Sequence, residues 1–172
     1  MNAVGDLNLW ALGYEDVARA KEVRAALRDV ENLYGLHVLD AVAVRRLPDG
    51  SFALERDESP SVSSGVLKSG LLGVLLGLVV LEPLGAAAVA VALGGLLFGS
   101  AKQLGIDEGF VRDVEDLMKP GSSALFLLTR TDNPDAVSRD IRGLGGVVLK
   151  TNVNADLARR VQESLAAPRP TA

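Results

Sequence analysis

Hydrophobic residues are concentrated in one stretch of the chain, from Ser69 to Ser100. These 32 residues carry a single charge, Glu82, which lies beside Pro83 near the middle. The pattern predicts two apolar helices joined by a tight turn at Leu81–Leu84. Each arm has about 17 residues, at the short end of the length that spans a bilayer.

Outside this stretch, the pattern predicts alternating strands and helices. Short apolar or β-rich runs bounded by turn residues predict strands at Leu7–Tyr14, Val38–Arg45, Phe52–Arg56, Ser122–Arg130 and Val147–Thr151. Apolar residues three and four positions apart predict helices after Asp16, over Glu108–Met118, from Pro134 to Gly145, and over Ala155–Leu165. The turn sequence Pro48-Asp49-Gly50 predicts that the second and third strands form a hairpin.

The order of these elements predicts an α+β fold. Two strand–helix–strand units would form one antiparallel four-stranded sheet in the ferredoxin-like, split βαβ arrangement, with the apolar, glycine-rich hairpin inserted between them. Helices would cover one face, and either the extra helices or a partner would cover the other. The exposed edges favour dimerisation. The expected divisions are 1–64 for the first half (βαββ), 65–103 for the hairpin, 104–165 for the second half (αβαβα) and 166–172 for a flexible tail.

The placement of the insertion predicts its topology in a membrane. The two halves can form one sheet only if both ends of the hairpin return to the same side. Lys68 and Lys102 flank the outer ends of the arms, whereas the turn carries no Lys or Arg. By the positive-inside rule, both termini are expected in the cytoplasm, with the hairpin in the cytoplasmic membrane.

Composition and charge exclude several kinds of site. The chain has no cysteine, which excludes disulfides, zinc–thiolate sites and cysteine nucleophiles, and its one histidine, His37, disfavours multi-histidine metal sites. A net charge of −4 argues against nucleic acid as a partner. No spacing of residues indicates a nucleophile, a carboxylate pair or a cofactor site, so we expect neither enzymatic activity nor a cofactor.

Four groups of residues together resemble a bacterial and archaeal family of uncharacterised membrane proteins known as domain of unknown function 1269. They are Gly13–Asp16, Gly105–Asp107 with Phe110, Lys119–Phe126 and Gly145–Thr151, with the glycine-rich hairpin between them in the family's order. The similarity extends over roughly Leu7–Leu165. It implies a fold and an association with membranes, and it implies no activity.

Small residues at four-residue spacing are the candidate site for helix packing and oligomerisation. They are Gly73 and Gly77 in the first arm, and Gly95 and Gly99 with the row Ala86, Ala90 and Gly94 in the second. Such spacing lets helices approach closely, either as a glycine zipper between subunits or simply between the two arms. Glu82 and Pro83 are expected in the hairpin turn at the far membrane surface; an intramembrane carboxylate is the alternative for Glu82.

Other residues favour structural interpretations. Trp10 is expected in the core, with the membrane interface as the alternative, and His37 is expected at the surface. Five acidic residues could bind a divalent cation, but a solvated helix face is the expected role of Asp107, Glu108, Asp113, Glu115 and Asp116.

The sequence therefore favours a membrane-anchored, self-associating structural or interaction protein in contact with lipid and its own copies. The alternative is a soluble homo-oligomer that buries the hairpin in its own core, because short alanine-rich arms also suit a buried helix. A small pore ranks third, because the arms offer few polar residues for a conduction path. A small-molecule ligand is neither indicated nor excluded.

Overall fold

The computed structural model describes residues 7–30, 37–55, 108–130 and 134–168. These ranges contain five strands and four helices. In chain order they are β1 (Leu7–Tyr14), α1 (Arg19–Val30), β2 (His37–Arg46), β3 (Phe52–Glu55), α2 (Glu108–Leu117), β4 (Ser123–Arg130), α3 (Pro134–Asp140), β5 (Val147–Thr151) and α4 (Ala155–Ala166).

The five strands form one antiparallel sheet in the order β3-β2-β4-β1-β5. The α+β class is confirmed, and strands from both sides of the insertion meet in this sheet. β4 lies between β1 and β2, and β1 lies between β4 and β5, so each unit encloses a strand of the other. The ferredoxin-like name for this arrangement stays a prediction.

The expectation of four strands is wrong, because β3 joins the sheet at the edge beyond β2. The predicted hairpin forms: Arg46 lies opposite Phe52 and Ala43 opposite Glu55. Gly50 has φ +87°, a conformation that glycine adopts without steric cost, and the N–H of Leu47 donates to the carbonyl of Ser51 at 2.8 Å. The turn therefore returns the chain alongside β2.

One face of the sheet packs against α1, α4 and the turn that follows α3. Alternate residues of β1 and β4 point to this side, as the two-residue period of a strand requires. The buried residues of this cluster are Trp10, Leu12, Tyr14, Ala20, Val23, Leu27, Ala43, Leu125, Leu127, Ile141, Leu144, Leu157, Val161 and Leu165. Trp10 is 2% exposed, so its predicted core position is confirmed.

The opposite face packs against α2. Its buried residues are Leu9, Ala11, Val44, Phe110, Val111, Val114, Met118, Ala124, Phe126 and Leu128. Helices therefore cover both faces, and the second face, for which either a helix or a partner was expected, receives the helix that follows the insertion.

Three helix C-termini differ from the prediction. α2 ends at Leu117, one residue before the predicted Met118. α3 ends at Asp140 instead of continuing to Gly145, because a turn follows in which Gly143 has φ +74°. α4 continues to Ala166, one residue into the expected tail. Asn154 caps the N-terminus of α4, since its side-chain oxygen accepts a hydrogen bond from the N–H of Leu157 at 2.9 Å.

Candidate functional site

The predicted helix-packing and turn residues lie outside the described ranges. They are Gly73, Gly77, Glu82, Pro83, Ala86, Ala90, Gly94, Gly95 and Gly99. The structure instead describes the domain that carries the insertion. The chain enters the insertion from β3, which ends at Glu55, and returns from it into α2, which begins at Glu108.

The sheet holds α2 by an apolar stripe. Phe110, Val111, Val114 and Met118 are buried against the second face. The ring of Phe110 meets that of Phe126 edge-on, with centroids 6.5 Å apart, an arrangement that adds favourable energy to the burial of apolar area. The first helix after the insertion is thus part of the core.

Lys150 of β5 contacts α2 at Phe110 and Asp113, the third and sixth of its ten residues. Its ammonium forms an ion pair with the carboxylate of Asp113 and lies 5.3 Å from the centroid of the Phe110 ring. Since both charged side chains are partly exposed, water screens the pair, and its contribution is mainly to position the helix. Asp113 is therefore paired with a lysine in this structure.

Arg46 of β2 fixes the other end of α2. Its guanidinium donates to the carbonyl of Met118 and, at 3.3 Å, to that of Glu115. A cation at this position also complements the negative end of the helix dipole, which no basic residue in the last turn of α2 does. The same guanidinium lies 5.2 Å from the centroid of the Phe52 ring, which links it to the β3 hairpin.

The strand ends define two ends of the sheet. One end, called here the Tyr14 end, contains Tyr14, Arg46, Ser123 and Val147. The opposite end, called the His37 end, is the one towards which Leu7, His37, Arg130 and Thr151 lie.

β3 starts opposite Arg46 and runs towards the His37 end. The last turn of α2 lies at Arg46. Phe110, near the start of α2, contacts Phe126, which is three residues along β4 from Ser123. Both β3 and the start of α2 are thus directed away from the Tyr14 end.

Close packing requires glycine at two positions, Gly13 and Gly146, in the motifs that resemble the family. A Cβ on Gly13 would lie 2.8 Å from the side chain of Leu149. A Cβ on Gly146 would lie 2.6 Å from Cε1 of Tyr14 and 3.0 Å from the carbonyl oxygen of Gly13, and Gly146 has φ +92°. These glycines therefore let β5 and its preceding loop approach β1.

A buried serine joins the start of β4 to the start of α1. The hydroxyl of Ser123 donates to the carbonyl of Asp16 at 2.6 Å and accepts from the N–H of Ala20 at 3.1 Å. The carboxylate of Asp16 accepts from the N–H of Ala18 at 2.7 Å, in the turn that precedes α1. Sequence reasoning missed Ser123 because its partners are distant along the chain.

Side-chain amides complete the edge at β5. The N–H of Val148 donates to Oε1 of Gln162 at 2.7 Å, and Nε2 of Gln162 donates to the carbonyl of Gly146 at 3.2 Å. Further along, the N–H of Leu9 donates to Oδ1 of Asn152 at 2.8 Å. Gln162 thereby occupies backbone groups that another strand would otherwise bind.

The perturbed titratable groups have structural causes. Burial raises the pKa of the Tyr14 phenol above its usual range, and the charge of Arg19 opposes this in part. Hydrogen bonds from the hydroxyl and the N–H of Ser51 hold the pKa of the exposed Asp49 carboxyl below its usual range. Tyr14 lies in the core and Asp49 in the hairpin turn, so both shifts follow from the fold.

The predicted acidic group is only partly described. Asp107 and the side chain of Glu108 lie outside the described residues; Asp113, Glu115 and Asp116 belong to α2. Within the described ranges, no cluster of three or more His, Cys, Asp or Glu side chains could hold a metal ion. His37 begins β2 opposite Arg130, but its side chain is not among those described.

A search of the same ranges for a helix long and apolar enough to cross a membrane finds none. The stretch on which the membrane prediction rests, Ser69–Ser100, lies outside them.

Fold and attachment geometry together define an α+β domain interrupted by an apolar insertion. The chain belongs to the family described as protein of unknown function (DUF1269), whose model matches residues 66–166, more than half of the chain. The match includes the apolar stretch, α2 and every later strand and helix. Gly13–Asp16 precede it, so their part in the resemblance stays a prediction. No curated protein and no solved structure matches the chain.

Proposed function

We propose that the protein is a membrane-anchored, self-associating structural or interaction protein that catalyses no reaction. The observation that carries the proposal is the stretch Ser69–Ser100, in which 32 residues contain one charge. In the proposal, this stretch is a two-helix hairpin in the cytoplasmic membrane, and the α+β domain and both termini lie on the cytoplasmic side.

The attachment geometry supports a hairpin that returns to its starting side. β3 leads into the insertion and α2 leads out of it at positions that face the same end of the sheet. The strands before and after the insertion share one sheet, with β4 between β1 and β2. A single pass through a bilayer would place the two halves on opposite sides and separate these strands.

Self-association is proposed through the apolar arms. Rows of small residues four apart allow close helix packing in lipid, where the hydrophobic effect between helices is absent. The closure of the β5 edge by Gln162 supports this choice, because edge-to-edge pairing of sheets would have to displace its two hydrogen bonds.

Carbonate extraction of membranes tests the anchor. The wild-type protein is expected to remain in the pellet. A Leu76→Arg, Val91→Arg variant is expected to be released, because an arginine at the centre of a membrane helix costs about 2.5–3.5 kcal/mol on insertion scales. Ala25→Arg, on the exposed side of α1, is the matched control and should remain in the pellet. Release of the wild-type protein would refute the membrane anchor.

The alternative is a soluble homo-oligomer in which the arms bury one another. It is favoured by the length of the arms, about 17 residues each, which also suits buried helices of a soluble protein. Size-exclusion chromatography without detergent distinguishes the two: a defined soluble oligomer supports the alternative, whereas protein recovered only with detergent supports the anchor.

A further inference from the structure

We propose that the His37 end of the sheet faces the lipid surface, with the sheet standing on the membrane by this end. The inference rests on the proposed membrane anchor and adds which surface of the domain contacts lipid. It is carried by the directions of β3 and α2, the two elements to which the insertion is attached.

The direction of α2 is fixed at two places. Arg46, at the Tyr14 end, donates to the carbonyls of its last turn. Phe110, near its start, contacts Phe126 and Lys150, which both lie opposite Ala11, three residues along β1 from Tyr14. The helix therefore crosses the strands obliquely, and its start is farther from the Tyr14 end than its last turn is.

The short connection after the insertion favours one position of the membrane. Seven residues, 101–107, connect Ser100 to α2. Fully extended, they reach at most about 25 Å. A bilayer at the Tyr14 end would require them to run back along all of α2, about 15 Å, and then beyond the surface of the domain. A bilayer at the His37 end requires no such reversal.

The direction of β3 agrees with this placement. The strand runs from Phe52, opposite Arg46, to Glu55, opposite Ala43, and so advances towards the His37 end as it approaches the insertion. β3, at one edge of the sheet, and α2, on its second face, thus direct the insertion the same way.

Single-cysteine labelling tests the orientation, because the natural chain contains no cysteine. Arg130→Cys and Asp156→Cys place a fluorophore near the His37 end, and Lys119→Cys and Glu15→Cys place it at the Tyr14 end. All four residues are exposed, and each pair contains one basic and one acidic residue. The two ends are separated by the eight residues of β1, about 25 Å at about 3.3 Å per residue.

Each full-length variant is reconstituted into vesicles of phosphatidylcholine and phosphatidylglycerol that carry a headgroup quencher. The expected result is quenching of the labels at positions 130 and 156, with little at positions 119 and 15. Equal quenching at all four, or stronger quenching at 119 and 15, overturns the orientation while leaving the anchor intact. Failure of all variants to float with vesicles overturns the anchor and, with it, this inference.

Discussion

Gly146 shows why single residues of the second half are constrained. We expect Gly146→Ala to lower the free energy of unfolding for two reasons. Alanine at a positive φ costs about 1–2 kcal/mol, and the contacts of the new Cβ with Tyr14 and the Gly13 carbonyl add an overpacking cost of about 1–3 kcal/mol. Denaturant titration followed by the fluorescence of Trp10, the chain's one tryptophan, measures the change.

Gly50→Ala is the matched control. Gly50 has φ +87°, close to the +92° of Gly146, but a Cβ there would meet nothing within 4 Å. It should therefore show only the backbone cost. If both substitutions destabilise equally, the packing of Tyr14 against Gly146 is not what requires this glycine.

For single residues, the sequence predicts whether a side chain is buried better than it predicts which residues that side chain contacts. Trp10 could be assigned to the core because it lies in an apolar strand. The need for Gly146 and the contacts of Ser123 could not be predicted, because each depends on a residue more than 100 positions away. A local pattern carries no information about such pairs until the strand order is known.

The β5 edge gives the prediction at the scale of elements. Gln162→Met keeps the size of the side chain but removes both of its hydrogen bonds to the edge of β5. Each such bond contributes about 0.5–1.5 kcal/mol, so a modest loss of stability is expected. The freed backbone groups should also pair with other molecules, which concentration-dependent sedimentation would show as increased self-association.

Amide hydrogen exchange at Val148 separates this effect from a general loss of stability. Its N–H should exchange faster in Gln162→Met than in Glu163→Gln, the control at an exposed neighbouring position. Unchanged exchange at Val148 would contradict the assignment of Gln162 as the residue that closes this edge.

The bounds of strands and helices were predictable where a hydrophobic pattern runs through the element itself. β1 and β5 begin and end as predicted, and α2 and α4 differ by one residue at their C-terminal ends. The turn sequence predicts that β3 pairs with β2. It could not predict that β4 pairs with the other side of β2 and leaves β3 at the edge of the sheet. The docking of α2 on the second face was likewise left open, since amphipathicity shows that one side of a helix is buried and not what buries it.

At the scale of the molecule, the proposed function places the sheet in water and the insertion in lipid. The sheet gains its stability from two apolar clusters, one on each face, and both contain residues from before and after the insertion. The contacts within these clusters therefore hold together the two points at which the insertion is attached. Because the described residues on both sides of the insertion form these clusters with one another, we expect the domain to fold without the hairpin.

Replacing residues 65–103 with a short Gly/Ser linker tests this independence. We expect a folded, soluble protein with cooperative unfolding, because both clusters remain and shortening a loop lowers its closure entropy by about 0.6 kcal/mol per halving. The variant should no longer float with vesicles. A matched deletion of residues 65–118 also removes α2, exposes Phe126 and Leu128 to solvent, and should aggregate. If the shorter deletion aggregates as well, the insertion contributes to the core of the domain, and the division into an anchor and an independently folding sheet is wrong.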